Sequence, residues 1–203
     1  MFKSPLYRFA IHLLRFIFWV FNGKPKVTGL ENIPKNQAVI LASTHHSNTD
    51  PVFLKLITDP LPLYFMAKDT LFNNPIFSKA ITFAGAFPVN RKKPSRETIK
   101  YSVDLLTKHD SSLCIFPTGS RHSSKVKSGT AFIQSLSKVD IIPISINPPV
   151  GFWQFISRKK CKIAIGTAIK YEQGVKYNRE KLKEIDELLQ QSLDELDTKA
   201  QAL

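Results

Sequence analysis

The chain has 203 residues, of which 43% are hydrophobic and 22% are charged, so it is large enough for one full globular core and further domains are not expected. Its 29 Lys and Arg residues against 16 Asp and Glu give a formal net charge of +13, which favours anionic partners such as nucleic acid, anionic lipid, phosphorylated substrates or an acidic carrier protein. Cys114 and Cys161 lie in apolar strand-like runs without C-x-x-C spacing, so we expect a reducing compartment and no zinc site.

The first 22 residues are rich in Phe, Leu, Ile and Trp but are interrupted by Arg8, His12 and Arg15. In a helix these three side chains form one narrow polar stripe, while the rest of the circumference is apolar. A membrane-spanning helix would need about 20 apolar residues without such charges, and no signal-peptide cleavage site follows. We therefore predict an interfacial amphipathic helix over residues 1–22, lying in the lipid headgroup layer with its aromatic side chains inward. The alternative is a helix packed on the domain.

A polar segment with two histidines joins the next strand to the next helix. An apolar run from Ala38 to Ala42 precedes it, and helical spacing begins after Pro51. A loop between a strand and a helix lies at the carboxyl edge of an α/β sheet, where ligands bind. There His45 could accept a proton from a hydroxyl, while Asp50 orients the imidazole and stabilises the imidazolium. The same residues also fit a plain helix start at Asp50 with two polar loop histidines.

Strand-like and helix-like patterns alternate through the rest of the chain. The predicted strands are 63–66, 85–90, 113–116, 141–146 and 162–169, and the predicted helices are 71–83, 96–106, 130–138 and 182–196. This alternation predicts a single α/β domain over residues 23–203, with a mostly parallel or mixed central sheet flanked by helices. Pro143 within its strand indicates an edge or bulge position.

Two of the predicted strands end in segments that suit an anion. Arg91 opens a basic cluster after one strand, and Gly119, Ser120 and Arg121 follow another. Backbone amides, hydroxyls and guanidinium groups in such a turn can bind an oxyanion. A simple solvent-exposed turn is the alternative for residues 117–121.

Residues 152–160 place aromatic side chains directly before Arg158, Lys159 and Lys160. This pattern suits either a membrane surface or a loop packed on the core.

Four segments between residues 40 and 146 resemble, in order and spacing, the glycerolipid acyltransferase family, most closely the bacterial 1-acyl-glycerol-3-phosphate acyltransferases. They are His45-x-x-x-x-Asp50, Gly85 to Arg91, the Phe-Pro-Thr-Gly-Ser-Arg run at 116–121, and Ile142-Pro143-Ile144. Lys68 and Lys127-Ser128-Gly129 also stand where the family often has similar residues. The family usually has glutamate at Thr118 and threonine at Ser120, and the loss of that carboxylate leaves the acceptor open.

The resemblance implies transfer of a fatty acyl group from a thioester to the free hydroxyl of lysophosphatidic acid, giving phosphatidic acid, with no cofactor or metal. His45 would be the general base and Asp50 would orient it. The expected substrate-binding residues are Arg91, Arg121, Lys68, Gly119 and Ser120. The donor would be acyl carrier protein or acyl-CoA, both of which suit a basic surface. We expect a peripheral or monotopic enzyme on the cytoplasmic side of the cell membrane, bound to its anionic surface.

Other functions remain open at this stage. The acceptor could be glycerol-3-phosphate or another lysophospholipid, and the chain could be a non-catalytic basic module that binds lipid. Nucleic-acid binding is not expected, because the sequence has no helix-turn-helix signature, zinc spacing or aromatic RNA-binding motif. An acyl hydrolase is a weaker alternative, since no serine nucleophile motif is present.

Overall fold

The computed structural model describes residues 2, 4–90, 94–120, 123 and 125–203, which form a seven-stranded sheet covered by helices on both faces. The strands are β1 (Lys26–Thr28), β2 (Ile40–Ser43), β3 (Leu63–Lys68), β4 (Ala86–Val89), β5 (Ser112–Ile115), β6 (Ile141–Asn147) and β7 (Lys162–Ile165). The α-helices are α1 (Pro5–Phe21), α2 (Asp50–Thr58), α3 (Pro75–Phe83), α4 (Arg96–Lys108), α5 (Gly129–Ser137), α6 (Phe152–Ile156) and α7 (Arg179–Ala202).

The strand order across the sheet is β1-β7-β6-β2-β5-β3-β4. Strands β6, β2, β5, β3 and β4 are parallel, β7 is antiparallel to β6, and β1 is parallel to β7. The predicted α/β domain with a mostly parallel, mixed sheet is therefore confirmed. The order also sets the carboxyl ends of β2, β5, β3 and β4 side by side at one edge, where the loops that follow them meet.

The central strands are apolar along their whole length because helices cover both faces of the sheet. Every residue of β2 and of β5 is buried. On one face of the sheet, Ile40 packs in a hydrophobic cluster with side chains of α4, α5 and α7. On the other face, Leu41 packs in a second cluster with Phe53 of α2 and Phe155 of α6. Removing β2 or β5 would expose both cores at once.

Helix α1 is both packed on the domain and partly exposed. Its first turn is capped by Ser4, whose hydroxyl accepts from the Tyr7 amide at 3.2 Å. Tyr7 and Ile11 are buried in a cluster with Leu56 of α2. Other large apolar side chains of α1 remain exposed: Leu6, Phe9, Leu13, Phe16, Ile17, Val20 and Phe21. The predicted helix is thus present, and its membrane role stays a prediction.

None of the helices formed by the described residues is long and apolar enough to cross a membrane.

The position of Pro143 differs from the expected sheet edge. Its strand, β6, lies inside the sheet between β7 and β2, so the edge assignment is wrong. The ladder with β7 ends at the Ile144–Ile165 pair, the Gly166 amide then donates to the Pro143 carbonyl at 2.9 Å, and pairing resumes at the Ile141–Ile169 bridge. The segment after β7 has one residue more than β6 between these pairs, which fits the bulge that was the other prediction for Pro143. Proline occupies the gap between these pairings, where no amide donor is needed on that side.

Candidate active site

The histidine-containing loop runs between β2 and α2 at the carboxyl edge of the sheet. Strand β2 ends at Ser43, and α2 begins at Asp50 with Pro51 at its first turn. Proline suits this position because it needs no amide partner there, and a carboxylate is favoured at a helix N-terminus by the helix dipole. The strand and the helix therefore fix both ends of the loop.

One oxygen of Asp50 makes three hydrogen bonds within this loop. Oδ2 lies 2.8 Å from His45 Nδ1 and accepts from the amides of His46 at 2.7 Å and Ser47 at 2.8 Å. The Asp50 side chain is fully buried and that of His45 is 8% exposed. A carboxylate that accepts hydrogen bonds from two amides can also only accept a hydrogen bond from His45. The neutral imidazole therefore carries its proton on Nδ1, which faces Asp50. Its Nε2 is then the basic nitrogen.

The His45 ring is held from a second side by Phe116. The two rings stack with centroids 4.1 Å apart and planes 21° from parallel. Phe116 directly follows β5, which neighbours β2 in the sheet. Sequence reasoning grouped Phe116 with the turn at 117–121 and missed this contact, which needs the strand order to be known.

Phe116 also lines a groove of about 790 Å³ beside the turn after β5. Its other apolar walls include Met66, Ile99, Ile115 and Phe132, and its polar part is formed by Lys127, Ser128 and Thr130. A groove of this character can hold an aliphatic chain along its walls and a polar group near the lysine.

The predicted substrate-binding residues divide into two groups. Lys68 ends β3 and is exposed, while Gly119 and Ser120 follow β5, so all three lie at the edge of the sheet that carries His45. Arg91 and Arg121, on which the expected phosphate contact depends, lie outside the described residues.

The turn at 118–120 uses the Thr118 hydroxyl internally. Thr118 Oγ1 donates to the Ser120 carbonyl at 2.9 Å, and Thr118 itself is buried. Gly119 has φ +72°, and a Cβ there would come within 3.0 Å of Lys127 Nζ, so this position needs glycine both for its backbone and for the close lysine. The residue that replaces the family's usual glutamate therefore stabilises the turn.

A second polar contact ties the loop to the C-terminal helix. Asp197 of α7 lies 3.8 Å from His46 Nε2 and accepts a hydrogen bond from the Ser145 hydroxyl at 3.0 Å. No sequence pattern indicates this contact, because Asp197 falls on the polar face of an ordinary amphipathic helix.

The two cysteines are buried and form no disulfide within the described chain. Burial, together with the negative charge of Asp50, raises the pKa of both thiols, so each stays protonated. Neither supplies a thiolate nucleophile. No group of three or more His, Cys, Asp or Glu side chains among the described residues is placed to hold a metal ion.

The family model described as Acyltransferase matches residues 24–147, more than half of the chain, and the match includes His45, Asp50 and the turn after β5. The chain belongs to the acyltransferase family. The resemblance drawn from the sequence motifs is therefore confirmed.

Two relatives of this acyltransferase match over nearly its whole length. The 1-acyl-sn-glycerol-3-phosphate acyltransferase of Streptococcus pneumoniae is 35% identical over 192 residues, covering 94% of this chain and 73% of the relative. The enzyme of the same name from Bacillus subtilis is 29% identical over 201 residues, covering 98% of this chain and all of the relative.

The fold also matches a solved structure. The crystal structure of the 1-acyl-sn-glycerophosphate acyltransferase PlsC from Thermotoga maritima superposes with a TM-score of 0.65 at 21% identity, covering 93% of this chain and 78% of that one. This likeness supports the fold of the acyltransferase and its N-terminal helix.

Proposed function

We propose that this acyltransferase moves a fatty acyl group from an acyl thioester to the free hydroxyl of 1-acyl-glycerol-3-phosphate, giving phosphatidic acid. The observation that carries the proposal is the enclosed His45–Asp50 pair, with Nδ1 and Oδ2 2.8 Å apart, within a chain 35% identical to an enzyme named for that reaction.

His45 acts as general base. Its Nε2 takes the proton of the acceptor hydroxyl while the hydroxyl oxygen attacks the thioester carbonyl carbon. The new C–O bond forms, the C–S bond breaks, and the imidazolium returns the proton to the leaving thiolate. Within the described part of the chain, Asp50 makes its hydrogen bonds to His45 and to the amides of His46 and Ser47, so its role is to orient the ring and stabilise the imidazolium.

The acceptor is proposed to lie with its phosphate near the basic residues at this edge and with its acyl chain along the groove. Arg91 and Arg121 would bind the phosphate, with Lys68, Gly119 and Ser120 as further contacts. The apolar walls formed by Met66, Ile115 and Phe132 support this orientation. Because the Thr118 hydroxyl donates its proton within its turn, it cannot also donate a hydrogen bond to the glycerol, and threonine supplies no carboxylate there.

The donor is proposed to be an acyl carrier protein or coenzyme A thioester, since both carry negative charge and the chain is strongly basic. Residues 1–22 are proposed to hold the enzyme at the cytoplasmic side of the cell membrane, as a peripheral or monotopic protein, while residues 23–203 form the acyltransferase domain. The exposed apolar side chains of α1, among them Leu6, Phe9 and Phe16, support this role.

The test is thiol release from an acyl thioester in the presence of 1-acyl-glycerol-3-phosphate, comparing His45→Ala with His46→Ala. The second variant is the matched control, because His46 is in the same loop but its side chain is 44% exposed and its Nε2 lies 3.8 Å from Asp197. We expect His45→Ala to lose about 10² to 10⁴ of the rate and His46→Ala to stay within about tenfold of the wild type. Equal activity in the wild type and His45→Ala would remove the general-base role.

The same assay decides the acceptor. Glycerol-3-phosphate in place of its 1-acyl ester should give little thiol release, since only the ester can fill the apolar groove. Equal rates with both would favour glycerol-3-phosphate acylation, the alternative that Thr118 leaves open.

A further inference from the structure

The segment around α6 presents two large aromatic side chains to solvent on one short turn. Phe152 is 70% exposed and Trp153 is 78% exposed, and Val150 just before them is 57% exposed. The two rings pack edge to face at 5.8 Å. Neither ring is needed to attach the segment to the domain, since Phe155 makes that contact. Contiguous exposed apolar patches mark sites of interaction with a protein or a membrane, and this turn adds two aromatic rings to such a patch.

This segment is fixed to the end of α1. The buried amide of Asn22 donates to the carbonyls of Phe155 at 3.3 Å and Lys159 at 2.8 Å, and its oxygen accepts from the Cys161 amide at 3.4 Å. Phe18 of α1 packs edge to face on Phe155 with ring centroids 5.1 Å apart. The exposed turn of α6 is therefore held beside the C-terminal end of α1, where Val20 and Phe21 are also exposed.

The two segments that form this surface carry only positive charges in their own sequences. Arg158, Lys159 and Lys160 follow α6 and are exposed, and the sequence has no Asp or Glu between Asp140 and Glu172. Residues 1–30 likewise contain lysine and arginine but no carboxylate. Aromatic rings at the tip with cations beside them match the layered chemistry of an anionic lipid surface, where rings enter the interface and lysines meet headgroups.

We infer that residues 150–160, centred on Phe152 and Trp153, form a second membrane contact that inserts into an anionic bilayer beside α1. This inference extends the proposed function, because a surface-bound acyltransferase would meet its lipid acceptor there. It differs from the membrane role of α1 alone in requiring Trp153 to enter the lipid.

Fluorescence of a single tryptophan tests it directly. The chain has two tryptophans, so Trp19→Phe leaves Trp153 as the only one. With the full chain and vesicles of phosphatidylcholine containing roughly 30% phosphatidylglycerol, we expect a blue shift of Trp153 emission and quenching by lipids brominated on their acyl chains. A protein that sediments with these vesicles while Trp153 emission stays unshifted and unquenched would overturn the inference. So would a protein that does not bind them at all.

Substitution provides the second measurement. Replacing Phe152 and Trp153 with serine should weaken vesicle binding by at least about tenfold, while Lys159→Gln with Lys160→Gln should weaken binding to anionic vesicles only. Leu188→Ser is the matched control, because Leu188 is 44% exposed on α7, across the sheet from α1 and α6. Equal effects of the serine pair and the control would contradict the inference.

Activity separates this inference from the proposed function. Thiol release with a detergent-solubilised acceptor should be unchanged in the Phe152 and Trp153 variants, because neither residue lines the groove. Loss of vesicle binding with that activity intact supports the membrane contact. A wild type that binds vesicles but shows no acyl transfer would refute the function and leave the contact standing.

Discussion

Asp50→Asn tests the charge of the carboxylate while keeping its shape. Asp50 Oδ2 lies 2.8 Å from His45 Nδ1, which places the two charge centres about 4 Å apart when the ring is protonated. At an effective dielectric constant of about 20, their attraction is about 4 kcal/mol. Asparagine keeps a dipole at that place, so we expect a loss of about 3 kcal/mol, or roughly 10²-fold in kcat. KM should be unchanged, because Asp50 is fully buried and does not reach the groove.

The assay is steady-state thiol release with purified protein, at a temperature where circular dichroism shows the variant to be folded. In this variant the amides of His46 and Ser47 would donate to an uncharged acceptor, and such hydrogen bonds are weaker than those to a carboxylate. We therefore also expect the free energy of unfolding to fall by about 1–3 kcal/mol. Asp59→Asn is the matched control, because Asp59 directly follows α2 and pairs with Arg15 at 2.8 Å, away from the loop. A folded Asp50→Asn enzyme with kcat within about threefold of the wild type would refute the argument.

Three further substitutions test other parts of the structure. Phe116→Leu keeps the groove apolar but removes the 4.1 Å stack on His45, so kcat should fall about three- to tenfold in the thiol-release assay; an unchanged rate would mean that the stack does not hold the ring. Burial lowers the pKa of Lys55 from 10.5 to about 8, so between these pH values the unfolded chain binds more protons than the folded one. The free energy of unfolding should therefore rise by about 2 kcal/mol from pH 8 to 10 in urea titrations. Lys55→Met should abolish that rise, and its persistence would assign it to another group. Burial raises the pKa of Asp186 from 3.8 to about 6, so its charged form destabilises the folded state at pH 7. Asp186→Asn should therefore raise the free energy of unfolding by about 1 kcal/mol at pH 7, after discounting for partial exposure, and leave it unchanged below about pH 3.8. An equal gain at both pH values, in the same titrations, would exclude a charge effect.

Elements with a strong repeating pattern were predictable from the sequence. The apolar stripe of α7 is buried at Ile185, Leu189 and Leu193, because a long helix repeats its pattern often enough to be recognised. Helix α4 begins after Ser95, a residue type preferred at the N-cap, whose hydroxyl accepts from the Thr98 amide at 3.2 Å. By contrast, α6 has only five residues, too few for a helical period to appear.

The candidate site was predictable only in part, since its contacts depend on sheet order. The spacing of His45 and Asp50 brought both residues to one loop, and the structure places them in contact. The stack of Phe116 on His45 requires β5 to lie beside β2, and the approach of Asp197 to His46 requires α7 to return to the same edge. Neither contact can be predicted from local sequence, because each joins segments that are far apart in the chain. The roles of Arg91 and Arg121 remain predictions.

The burial of Asp50 also affects the electrostatic repulsion between its carboxylate and an anion that approaches the site. The carboxylate has no exposed surface, and two backbone amides and the first turn of α2 compensate its charge from within. In the proposed function, a dianionic phosphate that enters the groove would meet the exposed ammonium group of Lys127, while these compensating groups reduce its repulsion from Asp50. In the proposed mechanism, the loop would thus give His45 an acidic partner whose charge is partly compensated before a doubly negative substrate arrives.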